Sequence, residues 1–234
     1  MNFFYPLKGD LEKDPVLIQL PKDYYFSAKI FYPFIKMPVD WKSERSAYPH
    51  IFYPVKEDIL KFASPVSWAY VKEKCGFNSI SDVSKAVTAG ITGGIGRKIY
   101  RRPDLLIRLN EVIDENTYYP REDEFPVIIM KNIFKVLGSK GATSIQYVNL
   151  YDERGTYKIN EIDRNILLQL CSGPITITDE NEDFVFTCYF DEVSALFFAK
   201  EDVREILVQS GLEGVILGDD TPLVWENHHF ELLE

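Results

Sequence analysis

Ile175-Thr176-Ile177-Thr178, Phe184-Val185-Phe186-Thr187-Cys188-Tyr189 and Ala195-Leu196-Phe197-Phe198-Ala199 follow one another with only short acidic or turn-forming stretches between them. Each run is short and rich in β-branched or aromatic side chains, which suit a pleated and half-buried surface. Parallel neighbours need a crossover of a dozen or more residues, and these gaps are too short to hold one. The three runs therefore predict an antiparallel meander. Ser144–Leu150 reads as an earlier strand and Gly214–Gly218 as a later one. Helical spacing over Asn160–Leu170 and over Glu201–Ser210, the latter closed by Gly211, places helices on one face of the sheet. The fold class that results is α+β.

Upstream, residues 65–141 read as helical. Ser67 is placed to cap a helix through Lys74 that Gly76 ends, and Ser81 to cap a second. Pro103-Asp104 opens a third, with Leu105, Leu106, Leu109, Val112 and Ile113 at helical spacing. Pro126 opens a fourth that Gly138 ends. Residues 1–64 are dense in rings and prolines, which argues against long helices and central strands. We expect an extended, turn-rich arm that lays its aromatics on the body. The division is thus 1–64 arm, 65–141 helical segment and 142–234 acidic α+β segment, packed as one compact domain.

Charge is distributed unevenly along these segments. Of the net −10 over 234 residues, Ala142–Glu234 carries 19 Asp/Glu against 5 Lys/Arg, while residues 61–141 are net positive at 13 against 9. An acidic surface repels nucleic acid and anionic lipid and attracts basic proteins. No stretch is long and apolar enough to span a bilayer. The first ten residues lack the basic region and apolar run of a secretory leader. Three widely spaced cysteines, Cys75, Cys171 and Cys188, form no disulfide pattern. Together these predict a cytoplasmic protein with no membrane or nucleic-acid partner.

Several motifs fail in context. Thr88–Arg97 contains Gly90, Gly94 and Gly96 at the spacing of a short-chain dehydrogenase turn. A helix rather than a strand precedes it, however, and Pro103 interrupts the helix that should follow. Asp179, Asn181 and Asp183 match the opening of a calcium loop, but its sixth and twelfth positions here are Phe184 and Phe190 in place of Gly and Glu, so the segment reads as a hairpin loop. His228 and His229 are adjacent, so they would point to opposite faces of a strand. No cofactor or metal is expected, and the absence of a catalytic signature leans away from an enzyme. The basic run Arg97, Lys98, Arg101, Arg102 and Arg108 reads as a solvated helix face, or as one that docks against the acidic segment of the same molecule.

Two sets of candidate residues remain. Asp179, Glu180, Glu182 and Asp183 would meet a basic protein partner, as immunity proteins and antitoxins meet basic toxins. Tyr24, Tyr32, Trp41, His50, Arg97 and Arg101 would line a small-molecule pocket between the aromatic arm and the sheet, in an enzyme or a sensor. The first reading is preferred because it requires no motif.

Trp68–Asp114, the run Ile177-Thr178-Asp179-Glu180-Asn181-Glu182-Asp183-Phe184-Val185-Phe186, the phenylalanine-rich strand after it and Trp225 resemble a family of soluble bacterial proteins known only as a domain of unknown function. The resemblance implies a bacterial cytosolic origin and carries no activity.

Overall fold

The computed structural model describes residues 1–6, 9–41, 53–92 and 97–234. In chain order the strands are β1 (Phe26–Phe31), β2 (Phe34–Lys36), β3 (Ser64–Val66), β4 (Thr117–Tyr118), β5 (Ser144–Asn149), β6 (Arg154–Lys158), β7 (Ile175–Asp179), β8 (Phe184–Cys188), β9 (Ser194–Ala199), β10 (Gly214–Leu217) and β11 (Phe230–Leu232). The helices are α1 (Lys56–Phe62), α2 (Trp68–Cys75), α3 (Ile80–Thr92), α4 (Pro103–Val112), α5 (Met130–Leu137), α6 (Arg164–Leu170) and α7 (Arg204–Gln209). They fall into two compact units, Met1–Tyr32 with Arg121–Glu234, and Pro33–Pro120. The fold is α+β, as the meander predicts.

In the first unit eight strands form one sheet in the order β11-β10-β1-β9-β8-β7-β5-β6. Every neighbouring pair is antiparallel. The register sorts the side chains into two unlike faces. One cross-strand row runs Ile216, Ala28, Phe197, Phe186, Ile177, Tyr147, and is apolar throughout. The row beside it runs Val215, Lys29, Leu196, Thr187, Thr176, Val148, Arg154. Because successive side chains in a strand alternate, these two rows project from opposite faces. The second face is covered in part by the first residues of the chain. Phe4 N–H donates to Thr176 Oγ1 at 2.9 Å, and Thr187 Oγ1 donates to the Phe4 carbonyl at 2.8 Å. The Phe4 ring lies 4.9 Å from that of Phe198.

Part of the arm expected over residues 1–64 is a strand of the sheet instead. β1 stands between β9 and β10 with all six residues buried. Proline density averaged over the first 64 residues hides an interval, from Lys22 to Tyr32, that contains none. That interval is long enough for a central strand. The boundary near residue 64 also dissolves, because Pro33–Trp41 and α1 belong with the helical segment.

The second unit holds the sheet β3-β2-β4 and helices α1 to α4. Its helix ends follow the sequence signals. Ser67 Oγ accepts the N–H of Tyr70 at 3.0 Å, and Gly76 ends α2 at φ 61°. α3 begins at Ile80, one residue before the expected Ser81 cap, and the Asp82 carboxylate accepts the N–H groups of Asn78 and Ser79. Pro103 sits in the first turn of α4. Trp68, Val71, Val83, Ala86, Val87, Leu105 and Leu109 are buried and form its core. A Cβ at Gly90 would come 3.2 Å from Leu106 Cδ1 and from Tyr119 Cε1, so this glycine serves close packing in α3. Gly94 and Gly96 lie outside the described residues.

Charge follows the two units. The first holds 26 Asp/Glu against 13 Lys/Arg, a net of −13; the second holds 10 against 13, a net of +3.

Candidate functional site

The β7–β8 hairpin is built around one carboxylate. Asp179 is buried at the end of β7. Its Oδ1 accepts the N–H groups of Asp183 and Phe184 at 2.9 and 2.7 Å, and its Oδ2 accepts that of Asn181 at 3.0 Å. These bonds close the loop and hold Glu182 in left-handed backbone at φ 53°. Asp179 therefore serves the hairpin from inside, whereas Glu180, Glu182 and Asp183 keep surface exposure. Glu180 accepts the Thr143 N–H at 3.2 Å and the Ser144 hydroxyl, and these bonds, the Ser144 hydroxyl foremost, hold its carboxyl below the usual range. Asp183 pairs with Lys200 at 3.1 Å.

Tyr24, expected in a ligand pocket, belongs to this cluster instead. Its hydroxyl donates to the Glu182 carbonyl at 2.8 Å, and its ring meets Phe198 edge-on at 4.8 Å. Burial pushes its phenol well above the ordinary value, and Glu182, Asp179, Asp183 and Asp23 push it further. Next along the chain, Tyr25 is 72% exposed.

A second concentration of carboxylates lies elsewhere in the same unit. Burial raises the Glu122 carboxyl to about 7, helped by Asp123, Asp191 and Glu192. Lys29, 1% exposed, donates to Glu192 Oε2 at 2.6 Å and to Tyr189 Oη at 2.9 Å. Phe190, beside them in sequence, is 42% exposed.

The remaining candidates are scattered. Tyr32 is fully buried in the first unit with its hydroxyl against the Cys188 thiol, and burial lifts that thiol to about 12. All three cysteines are buried thiols, and none is in a disulfide. Trp41, in the second unit, donates Nε1–H to Asp58 Oδ2 at 3.3 Å. Arg97 and Arg101 flank a 3-10 turn over Lys98–Tyr100, so the basic run is not one continuous helical face. Arg102 forks onto Asp104, and Arg108 donates to the carbonyls of Cys75 and Gly76 at 2.6 Å each, where α2 ends. His50 lies outside the described residues. A recess of about 210 Å³ over Thr156, Thr176 and Thr178 in the first unit, and a groove of about 460 Å³ in the second, are lined by none of the pocket candidates.

A family model described as a protein of unknown function (DUF2711) matches residues 12–227. The chain belongs to the DUF2711 family. It is 32% identical over 218 residues to the uncharacterized protein YwbB of Bacillus subtilis (strain 168), an overlap covering 92% of this chain and 96% of that protein. No solved structure matches. The DUF2711 span includes every candidate residue above. Among the described residues no helix is long and apolar enough to cross a membrane.

Sequence reasoning missed two parts of this DUF2711 chain's carboxylate clusters. Asp23, in left-handed backbone at φ 82° just before β1, adds its charge to the acids that act on Tyr24. Glu122 acquires its environment from residues nearly seventy positions away. Lys29 did carry a signal, as the one charged residue in the run Phe26–Phe31, all of it buried.

Proposed function

We propose that this chain is a non-enzymatic binding protein whose first unit receives a basic protein partner, in the manner of an immunity protein or antitoxin, in the bacterial cytoplasm. The supporting observation is that internal pairing leaves the excess of carboxylates largely intact. Arg154, Lys158, Lys200 and Arg204 each pair with an acid of the same segment, namely Asp152, Glu161, Asp183 and Glu231. These pairs use up most of the segment's few cations. Glu180, Asp191, Asp202, Glu205, Asp219 and Asp220 remain exposed. Such a surface steers a basic partner and repels polyanions and anionic lipid. Tyr25, 72% exposed beside the hairpin cluster, supplies an aromatic anchor of the kind that concentrates binding energy. Glu180, Glu182 and Asp183 form the acidic rim of this reading, with Glu180 its most available carboxylate because Glu182 pairs with the Met1 ammonium at 2.5 Å and Asp183 with Lys200.

The test is retention of a basic protein from the native host on the immobilised chain at about 50 mM salt, with release at about 0.5 M, where screening is nearly complete. The Glu180→Lys/Glu182→Lys variant should lose that protein while remaining folded. Retention of no protein at low salt, or equal retention by the variant, would remove the proposal.

A further inference from the structure

The second unit contains a feature that the partner reading does not use. A groove of about 460 Å³ runs between its small sheet and the helices α2 and α4. Val71 of α2 and Val112 and Ile113 at the end of α4 make its apolar walls. The Tyr70 ring, also on α2, lines it while 51% exposed, so it has apolar surface that a bound molecule would cover. This volume lies within the range of small-molecule sites.

Lys36 of β2 and Asp114 form an ion pair in the groove wall, with side chains 37% and 51% exposed. A pair this wet is easily opened. Asp114 stays fixed when it opens, because the Thr117 hydroxyl donates to it at 2.7 Å and the Asn116 N–H at 3.1 Å. Those donors, with Lys36 the largest, also hold its carboxyl below the usual range, so it stays ionised. Lys36 has three N–H donors to redirect. The groove thus presents one anion and one cation side by side, next to an apolar wall.

An extended peptide would not suit the place by adding to β3. β3 is an edge strand, but its middle residue is Pro65, which has no N–H to offer a further strand. A plain carboxylate would gain Lys36 and face Asp114, and a plain amine would meet the converse. A zwitterion inserts into the pair with charge balanced at both ends.

We infer that this groove binds a free α-amino acid with an apolar side chain, its ammonium on Asp114, its carboxylate on Lys36 and its side chain against Val112, Ile113 and Tyr70.

Isothermal titration of the full chain with free phenylalanine and leucine, and with their N-acetyl acids and their amides, tests this. The free amino acids should bind, and blocking either end should weaken binding by about tenfold or more. Lys36→Met should weaken it by about the same factor, with little change in melting temperature because the pair is exposed. Asp114→Asn keeps an acceptor for Thr117 and Asn116 and should weaken binding equally. Equal affinity for an N-acetyl acid or an amide would overturn the inference, as would absence of binding at about 10 mM ligand. So would unchanged affinity in both variants.

Discussion

The backbone N–H of Asp191 donates to the Asp123 carboxylate at 2.8 Å, and both residues hold left-handed backbone, at φ 61° and 69°. One hydrogen bond therefore ties the loop after β8 to the segment that precedes α5. Aspartate tolerates this conformation better than most residues, so the arrangement is local and inexpensive. Its consequence is electrostatic, because it gathers Asp123, Asp191 and Glu192 around Glu122.

Stability should fall as pH rises because of Glu122. Its carboxyl is raised to about 7, by burial first and then by Asp123, Asp191 and Glu192. Between the ordinary glutamate value and about 7 the folded chain binds more protons than the unfolded chain, so stability drops across that window. Tyr5 faces the same acids, and its phenol is pushed up by burial and by Asp191, Glu192 and Asp123, but it stays neutral throughout. Partial exposure screens the effect, leaving about 1–2 kcal/mol. Melting curves from pH 5 to pH 8, a range set by these pKa values, should show Glu122→Gln gaining on the parent as pH rises. An identical pH slope in both proteins would refute this origin.

Asp179→Ala should be among the most damaging single changes in the first unit. It strands the N–H groups of Asn181, Asp183 and Phe184 in a hairpin whose aspartate is 2% exposed. Bonds to a charged acceptor are worth more than neutral ones, and buried donors left unmet are costly, so we expect a loss of about 2–4 kcal/mol. Asp179→Asn keeps one acceptor oxygen and should fall between the two. Urea unfolding of the three proteins measures this order.

The meander was legible because β7, β8 and β9 are contiguous in sequence and need no distant information to pair. β1 was not, since its place between β9 and β10 depends on partners some 160 to 190 residues away. β6 and β11 were missed for a different reason. Both lie at the sheet edges, where half-exposed short strands lack the dense apolar signal of the centre. The hairpin carboxylates were visible as a run, but which of them faces inward depends on loop closure. Only the coordinates separate Asp179 from Glu180. The pocket candidates rest on residue type in the aromatic segment and the basic run, and Tyr24 and Tyr32 fall in one unit while Trp41, Arg97 and Arg101 fall in the other.

Lys29 should tolerate removal of its charge better than Glu192 tolerates truncation. Lys29→Met keeps the apolar stem between Val215 and Leu196 and removes a buried cation, and Glu192, 20% exposed, can turn to water. We expect a change within about 1 kcal/mol. Glu192→Ala leaves the ammonium buried with only the Tyr189 hydroxyl and should cost about 2–3 kcal/mol. Chemical denaturation of both variants checks the asymmetry, and a larger loss in Lys29→Met would reverse the argument.

Gly214 marks where the sheet leaves no room for a side chain. It opposes Ile30 across the β1–β10 pair, and a Cβ there would fall 2.1 Å from the Lys29 carbonyl oxygen and 3.1 Å from Leu233 Cδ1. The nearer obstacle is backbone in the buried strand β1, which cannot step aside as a flexible side chain would. Relief would have to come from shifting β10 and, with it, β11. Such a shift also breaks the bond from Leu233 N–H to the Gly214 carbonyl. Gly214→Ala should therefore lose about 3 kcal/mol or more, the scale of an overpacked core site. Gly173 provides the control, because nothing lies within 4 Å of a Cβ there and its backbone is not left-handed. Gly173→Ala should be neutral or slightly stabilising through the unfolded chain. Thermal melts of the two alanine variants side by side decide the matter, and equal melting temperatures would mean that β1 and β10 are not held in this register.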